Sequence, residues 1–295
     1  MKVLVLGSNG QLGQSFKAYK SLSNFNYLFA NKNFIDLIKS KNMFKKFDLI
    51  RPDIIINCAA YTNVDRSENY KDLAYKINFD SVKKISKWCS ENNVFLIHFS
   101  TDYVFDGLKK EPYCEVDKPN PISIYGKSKF LGEEEFLNSS VEGSCLRTSW
   151  VHSIYGKNFF LTIKSLLEQK QTISIVDDQF GIPTTTNFLV KVTEEIMKLK
   201  CKNKEVPKIL HAVPSNSPKN ISWYKFGEII HKNLKKFDQK NTLKCNQILK
   251  INSSSYPQVA ERPKFSVLSN KKLSKIINLK LNNWLIEHEK IYSGL

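Results

Sequence analysis

Residues 2–13 read KVLVLGSNGQLG. Val3 to Leu6 form an unbroken apolar run that stops at Gly7. Side chains alternate across a strand, so a run with no polar member describes a strand buried on both faces, as in a parallel sheet covered by helices. The run is too short for a signal-peptide core, and glycines follow where such a core stays apolar. From Gln11 to about Tyr19 the spacing predicts a helix with Leu12 and Phe16 on one face. Gly7, Gly10 and Gly13 therefore sit at G-x-x-G-x-x-G spacing between a buried strand and a helix. Glycine lets a backbone approach a pyrophosphate, and the free N–H groups of a helix N-terminus supply positive potential there. This predicts a dinucleotide site.

The same rhythm continues outward. Short apolar runs at 27–30, 53–60, 94–100 and 144–149 read as strands. A helix is expected over 72–90, where Ala74, Ile77, Ile85, Trp88 and Cys89 share a face, and another over 125–137. Alternating strands and helices describe an α/β fold with a doubly wound, Rossmann-like parallel sheet. Beyond Trp150 the pattern is less regular. Strands at 173–176, 208–213 and 246–251 sit among helices near 158–168, 186–200, 222–236 and 282–292. The expected division is 1–149 with 186–213 as the dinucleotide-binding domain. Residues 150–185 with 214–295 form a smaller mixed α/β substrate-binding domain, the second wall of a cleft.

Composition narrows the function. The 295 residues are 41% hydrophobic with no apolar run of membrane-spanning length, so no membrane is expected as partner. Six cysteines stand apart with no C-x-x-C pair, against a zinc site or a disulfide scaffold and consistent with reduced, cytoplasmic thiols. The net charge of +17 is uneven: 20 basic against 6 acidic residues from Lys198 onward, 25 against 22 before it. No nucleic-acid-binding motif accompanies the lysines, so nucleic acid is not expected; they read as a solvated surface able to attract an anionic small molecule.

The second strand ends in FANKN, with Asn31 and Lys32 where an acidic residue for the adenosine ribose is usual. A lysine there tilts the cofactor from NADH toward NADPH. Residues 121–129, PISIYGKSK, place Tyr125 and Lys129 one helical turn apart. An ammonium beside a phenol lowers its pKa from about 10, so this pair suits proton transfer near neutrality. HFSTDYVFDG at 98–107 ends a strand where an open parallel sheet places ligands, and offers the Ser100 and Thr101 hydroxyls. Thr101, Tyr125 and Lys129 form the expected catalytic set.

With that set in view, the glycine spacing resembles the extended short-chain dehydrogenase/reductases. The whole chain resembles the dTDP-4-dehydrorhamnose reductase family. The matching stretches include RPDIIINCAAYTNVDRSE (51–68), STDYVFDG, PYCEVDKPNPISIYGKSKFLGEE (112–134), RTSWV, VDDQFGIPT (176–184), ISWYKFGEII (221–230) and RPKFSVLSNKKL (262–273). The resemblance implies reduction of the C4 ketone of dTDP-4-dehydro-β-L-rhamnose by NAD(P)H, giving dTDP-β-L-rhamnose for cell-surface polysaccharide. It implies Gly10, Gln11 and Leu12 at the pyrophosphate, Asp36 and Leu37 near the adenine, and Ala60, Tyr61 and Thr62 at the nicotinamide half. Thr101, Asp102, Tyr125, Trp150 and Arg262 would meet the substrate, Arg262 at its diphosphate. Asp65, Arg66 and Glu68 match the family without an assigned chemistry. Some members form a magnesium-linked dimer on a glutamate after the glycines; here Gln14 and Ser15 stand there, so no metal is expected and the protein is a monomer or homodimer. The alternatives are a non-catalytic regulatory subunit like the methionine adenosyltransferase β subunit, or a reductase of a related nucleotide ketosugar.

Overall fold

The computed structural model describes residues 1–20, 23–216, 221–237 and 242–292. The first half runs β1 (Lys2–Leu6), α1 (Gln11–Tyr19), β2 (Asn26–Ala30), α2 (Ser40–Ile50), β3 (Ile54–Asn57), α3 (Val64–Asn69), α4 (Lys71–Tyr75), a π-turn (Lys76–Asp80), α5 (Ser81–Glu91), β4 (Phe95–Thr101), α6 (Ile124–Asn138) and β5 (Gly143–Thr148). The second half runs β6 (Val151–His152), α7 (Phe159–Gln169), β7 (Thr172–Val176), β8 (Phe180–Gly181), β9 (Thr184–Thr185), α8 (Thr186–Cys201), β10 (Ile209–His211), β11 (Ile221–Ser222), α9 (Trp223–Phe237), β12 (Gln247–Ile251), α10 (Lys271–Ile276) and α11 (Trp284–Glu289).

Six strands form one parallel sheet in the order β10-β5-β4-β3-β1-β2. The apolar runs divide between its faces by strand alternation. Val3, Val5, Ile54 and Ile56 pack with Phe16 of α1 and Phe188 and Val192 of α8. Leu4, Leu6, Ile55 and Leu96 pack on the other side with Phe47 of α2, Ile85 of α5 and Phe136 of α6. The chain steps from β1 to β2 on one side, then crosses back past β1 to β3 on the other. Such a reversal opens a crevice at the carboxyl ends of the strands. A third cluster, with Phe160, Ile175, Phe226 and Trp284, gathers α7, α9 and α11 around the β7–β12 pair.

One expected helix is modified. Residues 72–90 are not a single α-helix, because the π-turn interrupts them at 76–80. Its cause is tertiary. The Asn78 side chain accepts from the Tyr61 N–H (2.8 Å) and donates to the Tyr61 carbonyl (3.0 Å) and the Ser128 hydroxyl (3.0 Å). An extra residue in the turn carries Asn78 inward to make those bonds.

Candidate active site

A groove of about 260 Å³ lies across the carboxyl ends of β1, β2 and β3. Gly7, Gly10, Lys32, Asp36, Leu37 and Ala60 line it. Each fingerprint glycine has its own task. Gly7 has φ +73°, and a Cβ on it would stand 2.7 Å from the Ala59 nitrogen. A Cβ on Gly13 would stand 2.5 Å from Ser8 Cα, so Gly13 seats α1 on β1. A Cβ on Gly10 would meet only the Gly7 carbonyl, at 3.3 Å. Gly10 caps α1 and offers no side chain to its first N–H groups. An uncapped helix start beside an open groove fits a dinucleotide pyrophosphate. Leu12 turns its side chain into the core, so only its N–H is left for such a ligand. Gln11 turns its amide to the second half, donating to the Val151 carbonyl (3.3 Å) and accepting from Asn158 (3.2 Å). Tyr61 and Thr62 follow Ala60 on the loop to α3, and Thr62 is exposed.

The reaction centre gathers where β4 ends and α6 begins. Ser123 caps α6 by accepting from the Gly126 N–H, and the Glu68 carboxylate accepts from the Ile124 N–H (2.8 Å). A carboxylate suits that positive helix end. Tyr125 and Lys129 follow on the next turn, and the Tyr103 ring stands edge-on to Tyr125 at 5.5 Å. Thr101 closes β4; its hydroxyl donates to Asp102 (3.1 Å) and accepts from the Tyr103 N–H (3.2 Å). Asp102 is buried and also accepts from the Ser266 hydroxyl (2.5 Å). Burial pushes its carboxyl up to about 6, against the pull of the Ser266 and Thr101 hydroxyls. The Ser100 hydroxyl is buried without a partner among the described residues.

The expected effect of Lys129 on Tyr125 is not what the geometry gives. Burial pushes the Tyr125 phenol up to about 12; the Thr101 hydroxyl pulls the other way and the Asp102 charge adds to the rise. Lys129 donates to the Phe99 carbonyl at 2.5 Å and has His98 Nε2 at 3.5 Å, so its amine is drawn under β4. Its own pKa falls to about 8, because burial penalises the ammonium.

The second half supplies the facing wall. Trp150, at φ +47°, stacks on Trp223 with ring centroids 3.5 Å apart. A Cβ on Gly181 would stand 2.4 Å from the Trp150 indole, which explains the glycine of DDQFGIPT. Arg262 is held in place: one Nη donates to Asp65 (2.6 Å), the other to Gln258 (2.6 Å). Asp65 also accepts the Val259 and Ala260 N–H groups, each at 3.1 Å. These bonds hold the Asp65 carboxyl below its usual range, against burial, which raises it. Behind α1, Ser15 donates to Thr186 (2.6 Å) and Gln14 to the Asn9 carbonyl (3.0 Å). Among the described residues no group of three or more His, Cys, Asp or Glu could hold a metal ion.

This geometry has a counterpart in known proteins. The profile of the RmlD substrate binding domain matches residues 1–293. The dTDP-4-dehydrorhamnose reductase of Salmonella typhimurium is 32% identical over 96% of this chain and 94% of its own length. The chain belongs to the dTDP-4-dehydrorhamnose reductase family. A crystal structure of the dTDP-4-dehydrorhamnose reductase of Bacillus anthracis in complex with NADP superposes with a TM-score of 0.89 and 30% identity, covering 100% of this chain and 99% of that one. The spore coat polysaccharide biosynthesis protein SpsK of Bacillus subtilis is 34% identical over 93% of this chain and 91% of its own.

In this dTDP-4-dehydrorhamnose reductase family member, several residues of the site lie outside the sequence motifs that mark it. Asn57 closes β3, His98 lies inside β4, Asn78 sits in the π-turn and Trp223 starts α9. The signal for the first two is a polar residue in an otherwise apolar stretch, IIIN and FLIHF, buried on both faces. Such a group needs a hydrogen-bond partner. Trp223 carries no such signal, since its partner Trp150 is 73 positions earlier in the chain.

Proposed function

We propose that the chain reduces the C4 ketone of dTDP-4-dehydro-β-L-rhamnose to dTDP-β-L-rhamnose with NADPH or NADH. The observation that carries this reading is the meeting of Tyr125, Lys129 and Thr101 at the carboxyl end of β4, beside the glycine-lined groove. Gly7, Gly10 and the Gln11 and Leu12 N–H groups hold the cofactor pyrophosphate; Asp36 and Leu37 flank the adenine; Ala60, Tyr61 and Thr62 border the nicotinamide half. When bound, the reduced nicotinamide supplies a hydride. Tyr125 gives its proton to the carbonyl oxygen as charge builds there, and its high pKa keeps that proton in place until then. The Lys129 charge, held under β4, offsets part of the burial cost of the resulting phenolate without bonding it, and Thr101 holds the carbonyl oxygen once its proton leaves Asp102. Trp150 and Asp102 shape the sugar site. Arg262 bonds Asp65, Gln258 and the Tyr103 phenol, and its remaining N–H groups are left to offer a diphosphate.

Residues 1–149 with 186–213 form the cofactor domain, and 150–185 with 214–295 the substrate domain. The pairing of β10 with β5 and the packing of α8 on the sheet support this division. The protein acts in the cytoplasm as a monomer or homodimer. Its six free cysteines support a reducing compartment, and no described helix is long and apolar enough to cross a membrane. Lys32 in the groove supports NADPH over NADH, through the 2′-phosphate. The test is incubation with dTDP-4-dehydrorhamnose and each reduced cofactor, followed at the nicotinamide absorbance. Loss of absorbance with formation of dTDP-rhamnose is expected; a regulatory subunit consumes neither cofactor.

A further inference from the structure

His98 is fully buried in β4, directly under the catalytic helix. Its ring touches Asn57 Nδ2 at Nδ1 (3.2 Å) and the Lys129 amine at Nε2 (3.5 Å). The proton on this ring can be placed by elimination. The Ala59 N–H can only donate, and it donates to Asn57 Oδ1 (3.2 Å). That bond turns the Asn57 NH₂ toward His98. An NH₂ has no lone pair to accept with, so Nδ1 must be the accepting nitrogen. Burial and the Lys129 charge keep the imidazole neutral, so its one proton is on Nε2. That N–H faces the Lys129 amine. The separations agree: the amine is 2.5 Å from the Phe99 carbonyl, an acceptor, and 3.5 Å from Nε2, the spacing of two donors that do not bond.

We propose that His98 is a positioning residue of the reductase site: Asn57 fixes its tautomer, and its Nε2–H denies Lys129 a second acceptor and makes the ammonium easier to deprotonate. A neutral amine accepts that N–H; an ammonium opposes it. The other groups facing Lys129 do not cancel this. On its own helix, Tyr125 is a neutral phenol and Glu133 is engaged by Arg147, whose Nε lies 3.0 and 3.1 Å from its two oxygens. On β5, burial holds the Cys145 thiol protonated. Beyond β4, Asp102 bonds to Thr101 and Ser266. Glu133 favours the ammonium, but less than burial opposes it. The bond that fixes Asn57 belongs to Ala59, one residue before the proposed nicotinamide segment. The β3 loop and the lysine are thus joined through one imidazole.

The proposal rests on Lys129 belonging to the reaction centre, and its first test needs no turnover. Long-range ¹H–¹⁵N correlation spectra of the full chain labelled at histidine separate the two neutral tautomers, and His98→Gln identifies the signal. The expected result is an Nε2–H ring that does not titrate between pH 5 and 9. An Nδ1–H ring, or one that titrates in that range, overturns the proposal and leaves the reductase reading standing. The second test is Asn57→Asp. A carboxylate there accepts from Nδ1–H, which moves the proton and turns Nε2 into an acceptor for Lys129. The tautomer should flip, and the alkaline limb of kcat/KM should rise by about one pH unit, tenfold in the proton equilibrium. His98→Gln, with its amide oxygen turned to the amine, should raise the same limb and leave NADPH affinity within about threefold. A flipped tautomer with an unmoved limb in Asn57→Asp overturns the proposal, as does an unmoved limb in folded His98→Gln. Inactive but folded Asn57→Asp, with active wild type, overturns it too.

Discussion

Substituting the three fingerprint glycines one at a time separates cofactor binding from folding. Gly10 has φ −72° and ψ 165°, which any residue adopts, and a Cβ there meets one carbonyl at 3.3 Å. Gly10→Ala should therefore melt within about 2 °C of the wild type, helped slightly by the lower entropy of its unfolded chain. Gly13→Ala has no such room. Its Cβ would lie 2.5 Å from Ser8 Cα and 2.6 Å from the Gly7 carbonyl, both backbone. Relief requires α1 to move off β1 by roughly 1 Å, an overpacking cost of about 1–3 kcal/mol. In a domain of this size that lowers Tm by about 2–10 °C. Gly10→Val extends the side chain into the groove where the pyrophosphate approaches. The same 1–3 kcal/mol now falls on the complex, about 5- to 150-fold in the NADPH Kd. Thermal melts by circular dichroism and NADPH titration by fluorescence read the two effects. A folded Gly10→Val that binds NADPH at wild-type strength refutes the groove as cofactor site. A Gly13→Ala protein that melts with the wild type refutes the packing argument.

Tyr125→Phe removes the transferable proton and keeps the ring, so turnover should fall by about 10²-fold or more while NADPH affinity holds; steady-state kinetics beside fluorescence titration checks both. Lys129 is lowered to about 8, below its ordinary range, so kcat/KM should be level between about pH 7, above the Asp102 titration, and pH 8, and fall above it as the ammonium is lost; a level profile to pH 9.5 removes Lys129 from the rate equation. Arg262→Ala should raise KM for the nucleotide sugar and leave NADPH affinity alone, whereas a fall in kcat with unchanged KM would assign Arg262 to holding Tyr103, whose phenol it bonds. The lysine-rich second half should make kcat/KM fall with added salt while kcat changes little, since long-range attraction is screened over about 10 Å at 0.1 M.

The strands of the main sheet are legible because they are apolar on both faces, and no helix of similar length reads that way at VLVL or IIIN. The helix α2 is not legible. SKNMFKKFDLI buries only Met43 and Phe47 and exposes Leu49, so its apolar stripe is too thin to give a period. The two-residue strands β6, β8, β9 and β11 have no local pattern at all; partners elsewhere in the chain make them. The same division holds at the site. Tyr125 and Lys129 are visible as a pair because one helix sets their spacing. The direction of the Lys129 amine depends on Phe99 and His98, across the helix–sheet interface, and spacing along α6 says nothing of it. Burial, which raises Tyr125 and lowers Lys129, is likewise a property of the packed state.

Trp150 makes the same point on the opposite wall, where a strained backbone needs a reason to persist. A tryptophan in the left-handed region costs on the order of 1–3 kcal/mol. Two contacts offset that cost directly: the stack on Trp223 and the close seat over Gly181. A third comes from behind. His152 Nδ1 lies 3.1 Å from the Trp150 carbonyl, which can only accept, so the proton is on Nδ1. His152 Nε2 then accepts from His288 Nδ1–H (3.1 Å), and His288 Nε2 accepts from the Tyr292 hydroxyl (2.9 Å). Burial keeps both imidazoles neutral, which this arrangement requires. A chain with every donor assigned holds the Trp150 carbonyl in one direction, and its last member comes from beyond α11. Each wall of the cleft is therefore backed by buried, neutral histidines whose tautomers are set by a group that can act in only one sense. On one side that group is the Ala59 N–H acting through Asn57; on the other it is the Trp150 carbonyl itself.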